Sequence, residues 1–223
     1  MLQMKYIRVK NILVNLNLTV EKNKFVLVVG ENGAGKTTLF NVISGVISPE
    51  SGSIYIDGRD VTSIPACARA ALVSNVFQDP KVGTIGNMTI RENLRMAYLR
   101  GKSRRLILGN SRSRDDFYRE KLRILNMNFE NRLNDYVGVL SGGQRQALSI
   151  AMSMMADSKL LLLDEITAAL DPKSSENILN IIQKIIRQEK KTCLMITHNV
   201  EHFNQLGDGL LRLQNGACHA LYG

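Results

Sequence analysis

Apolar and polar positions divide the chain into short alternating runs and unbroken blocks, and each kind predicts an element. Leu16-Asn17-Leu18-Thr19-Val20 alternates strictly, which marks a strand with one buried face. Phe25 to Val29 is apolar throughout and rich in valine, as in a strand buried on both faces of a parallel sheet. That run ends at Gly30, and a helix is predicted over Lys36 to Ser44. Ser53 to Ile56 reads as a strand closed by a turn at Asp57-Gly58; Leu72 to Gln78 reads as another, ending at Gln78-Asp79-Pro80. From Thr89 to about Asn134 the pattern is mostly helical, with a loop expected over Gly109 to Ser113. Ser141 opens a further helix, because Ser141 and Gln144 stand in the spacing of a capping box. Leu160 to Leu163 is a fully apolar strand. Asp171-Pro172 then supplies an N-cap and a proline at the first helical position. The helix that follows has apolar positions 178, 181, 182, 185 and 186 on one face. Thr192 to Thr197 is a last buried strand, followed by His198.

Strands alternating with helices predict an α/β fold whose mostly parallel sheet is covered on both faces. No repeat and no low-complexity tract divides the 223 residues, so one domain, with subdomains, is expected. At 44% hydrophobic the chain can bury a sizeable core. No stretch reaches the roughly 18 unbroken apolar residues of a membrane span. Met1 to Lys10 also lacks the apolar segment of a secretory signal. A cytosolic protein is expected, with other subunits supplying any spans. Cys67, Cys193 and Cys218 are odd in number and far apart, which argues against a disulfide framework or a zinc site. Net charge is +9 and uneven: Arg95 to Arg123 holds ten Lys or Arg against Asp115, Asp116 and Glu120. A solvated helical face accounts for this most simply. Contact with anionic headgroups or nucleic acid is the alternative.

Three motifs carry chemistry. Gly30-Glu31-Asn32-Gly33-Ala34-Gly35-Lys36-Thr37-Thr38 matches the phosphate-binding P-loop pattern. Its glycines let successive amides turn toward phosphate without a Cβ in the way, and the helix behind adds its positive end. Lys36 is placed to reach the β- and γ-phosphates, Thr37 to offer a hydroxyl to magnesium, and Thr38 to touch a phosphate. Asp164 and Glu165 end the four-leucine strand at the edge where open α/β sheets bind ligands. Asp164 is the candidate magnesium carboxylate; Glu165 is then free to polarise an attacking water. Leu140-Ser141-Gly142-Gly143-Gln144 has little intrinsic chemistry beyond small residues at a helix start that can face an anion.

In this order the three motifs resemble the nucleotide-binding subunit of an ATP-binding-cassette (ABC) transporter, over about Leu16 to Gly216. The resemblance implies a P-loop NTPase core with a small antiparallel β region, covering about 1–85 and 149–223. A helical subdomain over about 86–148 would end in LSGGQ. It implies ATP and Mg2+ as ligands. It further implies a head-to-tail pair, with a second copy or a homologous cassette, in which Ser141, Gly142, Gly143 and Gln144 close over ATP held by the opposing P-loop. Gln78 matches the loop that approaches magnesium and the attacking water and senses the transmembrane partner. His198 matches the histidine that contacts the γ-phosphate, and Asp171 the residue linking the two sites. Alone, each of these is more often structural: a turn residue, a strand end, an N-cap.

The chain also departs from the family pattern. Tyr6, thirty positions before Lys36, is the candidate ring to stack on adenine, but only five residues precede it where a full first strand is usual. A shortened or rearranged amino terminus is expected on that count. Asn23 stands where glycine is common, and Ile166 where proline is common.

The run Val76 to Pro80, with Gly83-Thr84 and Met88 to Leu94, is similar to ATPases of bacterial importer-like systems. This implies a transmembrane permease subunit, a periplasmic or lipid-anchored substrate-binding protein, and a place on the cytoplasmic face of the cell membrane. Some such systems are thought to handle aromatic amino acids. The alternative is a non-transport ABC ATPase acting on nucleic acid or the ribosome. Such proteins carry tandem cassettes or a coiled-coil insertion, and this chain has neither, so nucleic acid is not an expected partner. A non-hydrolysing regulatory cassette is opposed by intact Lys36, Asp164, Glu165 and His198.

Overall fold

A computed structural model describes residues 1–102, 112–168, 170–199 and 207–222. In chain order the strands are β1 (Leu2–Val9), β2 (Leu13–Val20), β3 (Phe25–Val29), β4 (Ser51–Ile56), β5 (Arg59–Asp60), β6 (Val73–Val76), β7 (Leu160–Asp164), β8 (Thr192–Ile196), β9 (Gly209–Gln214) and β10 (Ala217–Tyr222). The helices are α1 (Lys36–Ser44), α2 (Ala66–Arg69), α3 (Pro80–Gly83), α4 (Ile90–Tyr98), α5 (Arg112–Arg123), α6 (Gly142–Ser153) and α7 (Pro172–Glu189).

Two sheets form. One has six strands in the order β10-β9-β3-β8-β7-β6; the other has four in the order β2-β1-β4-β5. In the larger sheet β9, β3, β8, β7 and β6 are parallel, and β10 closes one edge antiparallel. Alternate side chains of its central strands enter different cores. Phe25, Leu27, Leu161, Leu163, Cys193 and Met195 join the core made with α4, α5, α6 and α7. Val26, Val28, Leu160, Leu162, Leu194 and Ile196 join the core made with α1 and the antiparallel sheet. Both faces are therefore buried, which is why these strands read as unbroken apolar runs.

The first strand, expected to be shortened or rearranged, is present: β1 is a full eight-residue strand between β2 and β4. Its alternation breaks because of a bulge. Leu2 and Met4 point inward, the frame then slips, and Ile7 and Val9 point inward. Tyr6 sits at the slip with φ +54. Gly52, at φ +95, makes room opposite it, since a Cβ there would lie 2.6 Å from the Tyr6 carbonyl oxygen. The strand expected over 72–78 is confined to Val73–Val76, leaving Phe77 and Gln78 exposed beyond its end. Of the loop expected over 109–113, positions 109–111 lie outside the described residues, and 112 and 113 belong to α5. The capping box predicted at Ser141 is present, and Asp171 accepts a hydrogen bond from the Ser174 amide as the N-cap of α7.

Arg69 fixes the far end of α1. It is 1% exposed and donates to the carbonyls of Val42, Ile43, Val61, Thr62 and Ile64. Carbonyls left open at a helix C-terminus are thereby satisfied by a cation, the sign that suits that end.

Candidate functional site

The parallel strands all end at one edge of the sheet, and the candidate residues follow from those ends. β3 leads into the P-loop, β8 into His198, β7 ends in Asp164-Glu165, and β6 leads to Gln78. The strand order places these four ends side by side.

The P-loop is shaped by glycines that nothing else could replace without cost. Gly33 and Gly35 have φ +82 and +97, a region open to glycine. A Cβ on Gly30 would meet the Leu213 carbonyl oxygen at 2.4 Å. At Gly35 it would meet the Ile12 side chain at 3.0 Å, with Leu13 at 3.3 Å. The hairpin between β1 and β2 thus braces the loop through Ile12 and Leu13, not through Tyr6. The Lys36 ammonium, 8% exposed overall, donates to the carbonyls of Gly30 at 2.7 Å and Glu31 at 3.0 Å. Glu31, Asn32, Gly33 and Thr37 are exposed, while Ala34 and Thr38 are half-buried. No side chain caps α1 at Gly35. The amides of its first turn therefore keep their capacity for an outside acceptor.

Across the β8 strand end, the Glu165 carboxylate lies 2.7 Å from His198 Nε2. Glu165 has φ +44, a conformation that costs a non-glycine residue roughly 1–2 kcal/mol. It is held there by its amide, which donates to the Ile196 carbonyl at 3.1 Å, and by its carbonyl, which accepts from the Ala168 amide at 3.0 Å. The pair opens into a cavity of about 520 Å3 bounded also by Thr167, Leu170, Pro172 and Glu176.

Burial raises the Asp164 carboxyl above the ordinary carboxylate range; the Glu165 charge raises it further and Lys36 lowers it. The Asp164 carboxylate, the Thr37 hydroxyl and the Gln78 side-chain carbonyl are hard oxygen donors, the kind magnesium takes together with phosphate oxygens and water. A divalent cation there would offset the unfavourable charge at Asp164, so the donor set fits that ion. Among the described residues no cluster of three or more His, Cys, Asp or Glu would hold a metal unaided.

Ser141 starts α6 with its hydroxyl accepting from the Gln144 amide at 3.3 Å, while Gln144 Oε1 accepts from the Ser141 amide at 3.1 Å. Ser141 and Gly142 are exposed, and Gly143 and Gln144 are half-buried. Asp171 is exposed, its carboxyl held below the ordinary range chiefly by the Ser174 hydrogen bonds.

Residues not singled out from sequence tie α6 to the Gln78 loop. Arg145 donates to Thr84 Oγ1 at 2.6 Å and to its carbonyl at 3.1 Å. Gln146, 1% exposed, donates to the Phe77 carbonyl at 3.2 Å. The Gly138 amide reaches the Gly86 carbonyl at 2.8 Å. A polar pair following the helix start was the available signal, but its partners lie more than 60 positions away.

With this geometry in hand, similarity to known proteins becomes informative. The family model described as ABC transporter matches residues 13–168. The tyrosine transport ATP-binding protein of Clostridioides difficile (strain R20291) is 44% identical over 202 residues, covering 91% of this chain and 80% of that protein. The thiamine import ATP-binding protein ThiQ of Escherichia coli (strain K12) is 34% identical over 187 residues, covering 83% and 75%. Among solved structures, the dimeric ATP-binding cassette MJ0796 in a post-hydrolysis state bound to ADP and Pi superposes with a TM-score of 0.80 at 26% identity, covering all of both chains. Among the described residues no helix is long and apolar enough to cross a membrane. The chain belongs to the ABC transporter family, as an ATP-binding and ATP-hydrolysing subunit of the importer type.

Proposed function

We propose that this chain hydrolyses ATP within a head-to-tail pair of cassettes, with Glu165 as the group that polarises the attacking water. The observation that carries this is the Glu165–His198 contact at 2.7 Å, beside the strand that delivers the P-loop. The strained backbone at Glu165 aims the carboxylate and its three contacts keep it there. A positioned general base is worth about 10²–10⁴-fold in rate. His198 steadies the carboxylate and presents its ring to the γ-phosphate. Lys36 turns its ammonium from the Gly30 and Glu31 carbonyls toward the β- and γ-phosphates, while Gly33, Ala34, Gly35 and Thr38 line the phosphates with Glu31 and Asn32 at the loop's outer turn. Thr37, Asp164 and Gln78 are the magnesium donors; the bound ion would neutralise phosphate charge. Most of the rate then comes from position and charge, as in phosphoryl transfer generally.

Ser141, Gly142, Gly143 and Gln144 of one copy close on the nucleotide of the other, with Asp171 next to the junction. The dimeric neighbour supports that arrangement. The chain sits at the cytoplasmic face of a membrane by binding a transmembrane permease, near Gln78. A substrate-binding protein outside would complete the importer. The 44% identity to a tyrosine transport ATP-binding protein favours an aromatic amino acid as cargo, selected by those other subunits. Tyr6 stays a candidate for the adenine ring, with Ile12 nearer the loop. The helical subdomain is assigned to about 86–148.

The test is magnesium-dependent ATP hydrolysis by the purified chain beside Glu165→Gln, with molecular size recorded with and without ATP. Expected are turnover by the parent and an ATP-stabilised dimer of the variant. Undiminished turnover by Glu165→Gln would remove Glu165 from this role.

A further inference from the structure

A second cavity, of about 310 Å3, lies at the opposite end of the elements that carry the ATP site. Met154 and Met155 just past the end of α6, Ser158 and Lys159 just before β7, and Lys190 and Lys191 just before β8 all line it. The nucleotide edge is at the other ends of β7, β8 and α6, so the two sites are separate.

Its charge is unbalanced. Five lysines line it against two carboxylates, Asp157 and Glu189. Asp157 pairs with Lys159 at 3.2 Å, and Glu189 pairs with Lys121. Lys102, Lys190 and Lys191 have no carboxylate in ion-pair range among the described residues. Lys191 is the most constrained of the three, at 5% exposed. Its ammonium reaches only neutral acceptors, the Ser153 and Ala156 carbonyls at 3.5 and 3.3 Å and Ser158 Oγ at 3.4 Å. These are long contacts. They let Lys191 cap the end of α6, but a buried ammonium so held is poorly compensated. Burial accordingly holds its pKa below the ordinary lysine range. Lys102 rests over the Tyr98 ring at 3.3 Å from its centroid. The Tyr98 and Phe117 rings, edge to face at 5.7 Å, and the two methionines give the recess an apolar wall.

We propose that this recess binds a small phosphate monoester. Three ammonium groups without a carboxylate in ion-pair range suit a dianion, and lysine binds phosphate as a point charge. The apolar wall suits a compact organic body, and the volume is at the small end of ligand sites. A flat basic stripe would suit a polynucleotide; a recess with a buried lysine at its base does not.

The experiment is calorimetric titration of the full chain with phenyl phosphate and, separately, with inorganic phosphate. It is run on the parent, on Lys102→Gln/Lys190→Gln, on Lys191→Gln and on Lys36→Ala. Lys102 and Lys190 are exposed, so their double variant should keep the parent's thermal midpoint. Expected is saturable binding of phenyl phosphate, tighter than inorganic phosphate, weakened about tenfold or more in the double variant and in Lys191→Gln. Lys36→Ala weakens phosphate binding at the P-loop and should leave this second binding event in place. Equal affinity in parent and double variant, or loss of that event in Lys36→Ala, would overturn the assignment. Equal affinity for the two probes would overturn the ester body.

Discussion

In the proposed mechanism two helix starts of this protein face phosphate, and they are finished differently. α1 begins at Gly35, with no side chain over its amides, inside a loop where the Leu213 carbonyl closes on Gly30 and the Ile12 and Leu13 side chains close on Gly35. α6 begins at Ser141, whose hydroxyl and Gln144 close a complete capping box on an open surface. The first is a receptor that leaves its donors free and depends on its surroundings for shape. The second is satisfied by itself, so it can stand exposed until a partner arrives. Ser141 loses nothing by this: its oxygen accepts from Gln144 while its proton remains to be given to an anion.

That contrast can be broken or sharpened by substitution. Lys36→Ala removes both the charge and the hydrogen bonds that tie the loop to itself, and should lower ATP turnover by about 10² or more, read by phosphate release. Gly35→Ala forces a side chain into φ +97 and against Ile12, and should cost about 1–2 kcal/mol of stability in a denaturant titration, together with nucleotide binding. Ser141→Ala removes a cap, with an expected loss of about 1 kcal/mol, and nucleotide binding by a single chain should survive. Gly142→Ala meets nothing within 4 Å, so folding should change by no more than about 0.5 kcal/mol while the ATP-stabilised dimer weakens. If Gly142→Ala destabilised the lone chain as much as Gly35→Ala, the distinction between the two starts would fail.

A pH series tests the charge at the Asp164–Glu165 end of β7. The Asp164 carboxyl is raised in the folded state, so its ionisation opposes folding above its ordinary range and ceases to do so as pH falls below it. Glu165→Gln removes one of the causes. It should raise the melting midpoint at neutral pH, and the gain should shrink toward zero as pH falls through the Asp164 titration. A gain that grew on acidification would contradict the sign.

The sequence showed most where the information is local. Lys36 to Ser44, the Ser141–Gln144 box and the Asp171-Pro172 start depend on spacings of a few residues, and each is found as expected. β1 was harder to see because the bulge at Tyr6 shifts the alternation midway, so Leu2 and Met4 fall out of step with Ile7 and Val9. β9 and β10 escaped because they follow a stretch without a motif. The Glu165–His198 contact joins residues 33 positions apart through the order of strands β8 and β7, which no pattern along the chain specifies. The same holds for the grip of Arg145 on Thr84.

The seat of the P-loop has a consequence for how the protein is made. Ile12 and Leu13 press on Gly35, the Leu213 carbonyl closes on Gly30, and the Gly216 carbonyl accepts from the Val14 amide at 3.0 Å. A loop written within the first forty residues is thus wedged by a hairpin written after the two-hundredth. During vectorial synthesis at about 5–20 residues per second, the nascent chain carries its phosphate loop for roughly ten seconds or more before that hairpin can leave the ribosome. Until then, the growing polypeptide holds an ATP motif without an assembled ATP site.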